Sequence, residues 1–178
     1  LGTITRIAQQ NSNVSFNQAP PNRTTENITF NSGTTGSNRL LVVTIITGTT
    51  GMTISSITYA GVALTPRTSH TANSRKIMTF YLKNPATGSN TLQIISSTSG
   101  ASNISQVVYA DVDQTDIFDA TDVTDSYSLT GSGGTDSTNI STNTNGAMIL
   151  NVFGFNDTGT NVAENSGQTN VTTGSNTG

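Results

Sequence analysis

The chain has no cysteine and no tryptophan, a single histidine, two glutamates and only seven lysines and arginines in 178 residues. Each scarcity removes a class of chemistry. Without cysteine there can be no disulfide, thiol nucleophile or cysteine-ligated metal, which fits a reducing cytosol and a microbial exterior equally. The lone His70 stands in TSHTANSR, which reads as a polar loop with no acid or nucleophile pattern beside it, so a catalytic imidazole is not expected. Glu26 and Glu164 stand far apart in the sequence, whereas glycosidic hydrolysis needs two carboxylates within several ångströms of each other. Serine and threonine abound, but a hydroxyl nucleophile needs a base. The expectation is a protein that is not an enzyme.

The cations are scattered singly and the net charge is −3, so no basic stripe exists to follow a phosphate backbone, and nucleic acid is not an expected partner. No run approaches the roughly 18 apolar residues of a membrane-spanning helix. The longest largely apolar stretch, Leu40 to Ile46, is strand-length, and membrane insertion is not expected. The missing tryptophan also leaves little to stack on a sugar ring: Tyr59, Tyr81 and Tyr109 fall in strand patterns and only Tyr127 in a loop. The chain opens at Leu1 without methionine, as a chain relieved of a signal peptide would. Low charge with abundant Thr, Asn and Gly adds to the expectation of a secreted, cell-surface protein.

What is present points to β-structure. Charged residues make up 10% of the chain, against about 25% in an average soluble domain, and uncharged polar residues take their place. Threonine suits exposed strand faces, while asparagine, serine and glycine suit turns. No window carries apolar residues at three-four spacing between helix caps, so almost no helix is expected. A mass of 18.5 kDa allows one well-packed domain.

Along the chain, Leu1 to Ala8 alternates weakly, with Ile4 and Ile7 on opposite faces. Residues 1–30 read as an N-terminal extended segment lying partly outside the main core, and 31–178 as a single domain. Arg39 to Thr47 (RLLVVTIIT) is apolar on both faces and reads as a central strand; Ile57 and Tyr59 mark another, followed by a turn at Gly61 and a short Val62 to Leu64 piece. Lys76 to Lys83 and Thr91 to Ser96, joined by NPATGSN, read as a hairpin. Val108, Ala110 and Val112 form the core-facing side of a further strand, and Asn145-Gly146 predicts a tight turn before Ala147 to Phe155. About nine or ten short strands at intervals of about ten residues predict a β-sandwich of the jelly-roll kind. One internal echo stands out: ISSITYAGV from Ile54 and ISQVVYADV from Ile104 share Ile, Ser, Tyr, Ala and Val in register.

The Ile104 strand runs into Asp111, Asp113, Asp116, Asp119, Asp122 and Asp125, which cannot all be buried without matching cations or donors. Asp111, Asp113, Asp116 and Asp119 are the candidate ligands for Ca²⁺, a cation that takes about six to eight hard oxygens. The spacing lacks the central glycine and terminal glutamate of an EF-hand, and aspartate is also an ordinary turn residue.

Taken together, SNRLLVV, SSITYAGVALT, FYLKNPATGSNTLQI, VVYADVDQTDIFDA and GAMILNVFGF resemble a concanavalin-like or laminin-G-like jelly-roll module of bacterial, archaeal and phage surface proteins, over about Asn38 to Gln168. The resemblance implies a jelly-roll sandwich in which the VDQT segment is a structural corner, and a role as an adhesin repeat, enzyme appendage or virion decoration. Two departures stand out. The segment before Asn31 has no counterpart in such modules, and after Gln168 only TNVTTGSNTG stands where an apolar strand is expected. A sandwich short of a strand leaves unpaired backbone beside its core. The expectation is therefore a structural subunit of an extracellular filament or polymer. Gly2, Thr3, Ile4, Thr5, Arg6, Ile7 and Ala8 would form a donor strand that pairs with the next copy. The alternatives are a monomeric carbohydrate-binding or adhesion module, with calcium in the acidic loop and surface glycans as partners, or a phage or virion decoration protein.

Overall fold

The centre of the protein is the run that is apolar on both faces. Leu40–Thr47 forms β3 and lies between β7 (Arg75–Lys83) and β9 (Gly100–Ala110), antiparallel to both. Its odd-numbered side chains Leu41, Val43 and Ile45 are fully buried against the opposite sheet, while Leu40 and Val42 are buried on the outer face. A strand read as continuously apolar is one covered on both sides.

The computed structural model describes residues 3–16, 24–72, 75–118 and 147–150. These build an all-β sandwich of two antiparallel sheets without helix. In the five-stranded sheet, β1 (Thr5–Phe16) pairs with β9, then follow β3, β7 and β6 (Thr65–Ala72). In the four-stranded sheet the order is β2 (Thr24–Asn31), β8 (Ser89–Ser96), β4 (Ile54–Tyr59) and the two-residue β5 (Val62–Ala63). Between the sheets lie Phe16, Phe30, Leu41, Val43, Ile45, Tyr59, Leu92, Ile94, Ile104 and Val108. The Tyr59 hydroxyl lies within hydrogen-bonding distance of the Phe30 and Gly88 carbonyls, at 3.2 and 3.1 Å, so the largest buried ring keeps its polar end satisfied. A second apolar cluster covers the outer face of the five-stranded sheet, where Leu40, Val42, Val107 and Tyr109 meet Val112, Ile117 and Leu150.

Several local readings meet their structural counterparts here. Residues Ala60 and Gly61, both with positive φ (50° and 80°), make the tight turn between β4 and β5. The echo of ISSITYAGV in ISQVVYADV is conformational in part: Gly61 and Asp111 occupy matched positions and both take positive φ, Asp111 at 62°, but Ala60 has already left its strand at positive φ while Ala110 is still in β9.

Other readings are corrected. Lys76–Lys83 and Thr91–Ser96 do not form a hairpin: β7 belongs to the five-stranded sheet and β8 to the four-stranded one. The intervening loop is held by remote partners, Asn84 N–H donating to the Arg39 carbonyl (2.8 Å) and Gly88 N–H to the Gly33 carbonyl (3.0 Å), which turn the chain across the sandwich. The ladder partners of β7 are β3 and β6, the latter TPRTSHTA, so His70 is in a strand opposite Ile77 and not in a loop. The strand escaped notice because an edge strand of threonine and serine has no apolar face to alternate. Strand β9 buries its even-numbered face from Ser102 to Ala110 as read, and towards its end Val107 and Tyr109 are buried on the other face as well, where Val112 joins them in the outer cluster. The residues before 31 contribute one strand to each sheet, with Phe16, Ile28 and Phe30 in the core. Turn Asn145-Gly146 and most of the Ala147–Phe155 reading lie outside the described residues.

Candidate functional site

The sequence singles out the first strand, and its seat is the margin of the five-stranded sheet. Strand β1 pairs with β9 from Thr5 opposite Ala110 to Phe16 opposite Gly100, and among the described residues β9 is its only ladder partner. Gly2 lies outside the described residues, Thr3 and Ile4 precede the strand, and Thr5, Arg6, Ile7 and Ala8 are its first four residues. Thr5 to Ala8 is thus the start of a longer element whose stronger anchors, Val14 and Phe16, come later. Within the single chain that element is seated in its own sheet.

A bulge between Arg6 and Ala8 explains the weak alternation noted in the sequence. It turns two consecutive side chains, Ile7 and Ala8, towards the main core, while Ile4 packs with the outer cluster. Beyond the bulge Gln9, Asn11, Asn13 and Ser15 are exposed, and Gln10, Ser12 and Val14 are half-buried before Phe16 closes the strand in the core. The inward face of β1 is therefore apolar at its ends and polar in its middle.

Loop 32–38 clamps the start of β1. Gly36, at φ +81°, approaches so closely that a Cβ there would lie 2.5 Å from the Ala110 Cβ and 3.7 Å from Ile7 Cδ1. Only glycine fits both the space and the left-handed backbone. The loop is fastened in turn by Arg39, which is 5% exposed. Its guanidinium donates to the Ser32 carbonyl, to Ser32 Oγ (3.0 Å), to the Gly33 carbonyl (3.1 Å) and to the Pro85 carbonyl (3.4 Å). One cation thereby ties the β2–β3 and β7–β8 loops together.

The acidic corner follows β9. Asp111 N–H donates to the Ser37 carbonyl (2.9 Å), and the Ser37 hydroxyl donates to Asp111 Oδ1 (3.3 Å). Asp113 Oδ1 accepts the amides of Thr115 (2.8 Å) and Asp116 (3.2 Å), and these two bonds, Thr115 first, hold its carboxyl below the usual carboxylate range. The Gln114 side chain donates to the Val112 carbonyl (3.1 Å), and Lys83 Nζ donates to the Gln114 carbonyl (2.7 Å). Residues 112–115 thus form a hydrogen-bonded corner. Among the described residues no three carboxylate or imidazole side chains gather as metal ligands; Asp111, Asp113 and Asp116 are not brought together, and Asp119 lies outside the described residues.

At the opposite margin an open groove of about 440 Å³ runs between the start of β4 and strands β6 and β7. Ile54, Pro66, Met78 and Phe80 line it, with Arg67 and Lys76. Both cations are engaged: Lys76 Nζ donates to the Met52 carbonyl (3.3 Å), and the Arg67 guanidinium lies 4.4 Å from the centre of the Phe118 ring. Sequence reasoning missed Arg39, Gly36 and Gln106. The last is fully buried on the inward face of β9, and its Nε2 and Oε1 have no hydrogen-bond partner among the described residues. A glutamine on the same strand face as Ile104 and Val108 was the only signal available. Compared with known families, curated proteins and solved structures, the chain matches no family model, no curated protein and no solved structure.

Proposed function

We propose that this chain is a structural, non-enzymatic subunit of an extracellular polymer, whose copies join by exchanging β1. The observation that carries the reading is the placement of β1 at the sheet margin. It runs along β9 for its whole length, touches β2 only lightly, and is joined to β2 by the seven residues 17–23, which contain Pro20-Pro21. A strand so placed can leave without disturbing the order β9-β3-β7-β6. The same strand from another copy can then take the vacated edge, restoring every ladder pair. When each copy gives its strand to the next, the contact is heterologous and propagates. A surface rich in threonine and asparagine with little charge allows neighbours to pack without strong repulsion. The low charge with abundant threonine, asparagine and glycine suits an exterior location, and the crossing of the chain between sheets suits a jelly-roll relative.

The absence of native cysteine makes a direct test available. Asn13 and Asn103 face each other across β1 and β9, at a pair separation that a disulfide can span. Oxidised Asn13→Cys/Asn103→Cys protein should give a ladder of covalent multimers on a non-reducing gel, with filaments in negative stain. A single monomer band, with no filaments in the parent protein, would refute strand exchange.

A further inference from the structure

Gln106 lies opposite Gln10 on β1 and opposite Val43 on β3, with Ile104 and Val108 to either side on the same inward face. It is fully buried, and neither atom of its amide has a hydrogen-bond partner among the described residues. Gln10 does not supply one, because its Nε2 donates across the sandwich to the Thr29 carbonyl (3.2 Å) and to Ser12 Oγ (3.4 Å). Burying an amide without a hydrogen bond is unfavourable, and far more so than burying an apolar side chain of the same shape. The penalty exists only while the margin is closed. Once β1 lifts, β9 becomes the edge and water reaches Gln106. Next to Gln106 the strand that leaves carries only Ala8, Gln10 and Ser12, small or polar side chains, and its larger apolar contacts are confined to Ile7, Val14 and Phe16 towards the ends.

We infer that Gln106 makes the edge of β9 a releasable seat for β1, its own or a second copy's, and so sets how readily strands exchange. The inference rests on the exchange reading above and names the residue that governs it. Gln106 favours neither the closed monomer nor the exchanged polymer, since β1 covers it in both. It lowers the cost of the open state between them.

Hydrogen–deuterium exchange read strand by strand tests this on the whole chain. Gln106→Met keeps the unbranched shape and removes the amide, so the amides of β1 should exchange about tenfold more slowly, or slower still, with β2, β4 and β8 changed less. Gln106→Glu should do the reverse at pH 7, opening β1 at least about tenfold more often, and should return towards the parent as acid neutralises the carboxyl. Unchanged β1 exchange in the Met variant, or slowing that is equal in all strands, would overturn the inference. If that variant folds poorly, a Glu variant whose β1 exchange does not depend on pH would overturn it as well. The cysteine gel is scored separately. Monomer bands with the expected exchange pattern would remove strand exchange and leave the releasable seat, whereas a ladder with no change in either variant would do the opposite.

Discussion

Replacing Gly36 by alanine should be one of the most damaging single-methyl additions in this protein. The new Cβ would stand 2.5 Å from the Ala110 Cβ, about 1 Å inside the usual carbon–carbon contact of roughly 3.5–4.0 Å. Forcing extra volume into a packed site typically costs about 1–3 kcal/mol. The backbone adds its own cost, because φ is +81° there and a left-handed L-residue loses about 1–2 kcal/mol. The two together predict about 2–5 kcal/mol, a large share of the roughly 5–15 kcal/mol that holds a domain folded. Urea denaturation at constant m-value measures it. Adding Ala110→Gly removes the atom that is struck but not the φ, so the double variant should show a favourable coupling of about 1–3 kcal/mol and retain the backbone penalty. Because the same loop covers Ile7, exchange of the first residues of β1 should rise before that of β3. A Gly36→Ala protein within about 0.5 kcal/mol of the parent, or a double variant with no coupling, would refute the packing argument.

Two further outcomes follow from the same margin. Arg39→Met leaves the carbonyls of Ser32, Gly33 and Pro85 without their donor and should cost about 3 kcal/mol; Arg39→Lys, unable to reach both loops at once, should fall between. A neutral Met variant in urea denaturation would show that the loops are held by other contacts. Burial pushes the Tyr109 phenol above its ordinary value, with Arg6 drawing it partly back. The folded state therefore holds that proton more tightly than the unfolded one, so this contribution is complete below about pH 10 and is lost as the pH rises through the folded value. Melting temperatures measured from pH 8 to 11 should fall more steeply for the parent than for Tyr109→Phe, and parallel curves would contradict it.

The parts of the fold legible in the sequence are those fixed by local pattern. The run from Arg39 to Thr47 announced a central strand because both of its faces are apolar, and Gly61 announced the turn that follows Tyr59. The parts that were not legible depend on partners remote in sequence. Whether NPATGSN closes a hairpin or crosses to the other sheet is decided by Arg39, Ser32 and Gly33, roughly fifty residues upstream. The β6 strand has no apolar periodicity to betray it. For the candidate site, the strand character of the N-terminal segment was readable, but its length was not, because the Ile7 bulge breaks the alternation that would have joined Thr5 to Phe16. The structural-corner reading of VDQT agrees with Asp113 capping the amides of Thr115 and Asp116.

The Arg39 fastening has a consequence for the conditions in which the fold holds. Its acceptors are carbonyl and hydroxyl oxygens. A carboxylate partner would be lost on acidification, as its proton returned; these oxygens do not take one up in ordinary acid. Being buried, the contact is also poorly reached by dissolved ions, which weaken pairs lying in the solvent. The tie between the two loops should therefore persist in vinegar and in brine alike.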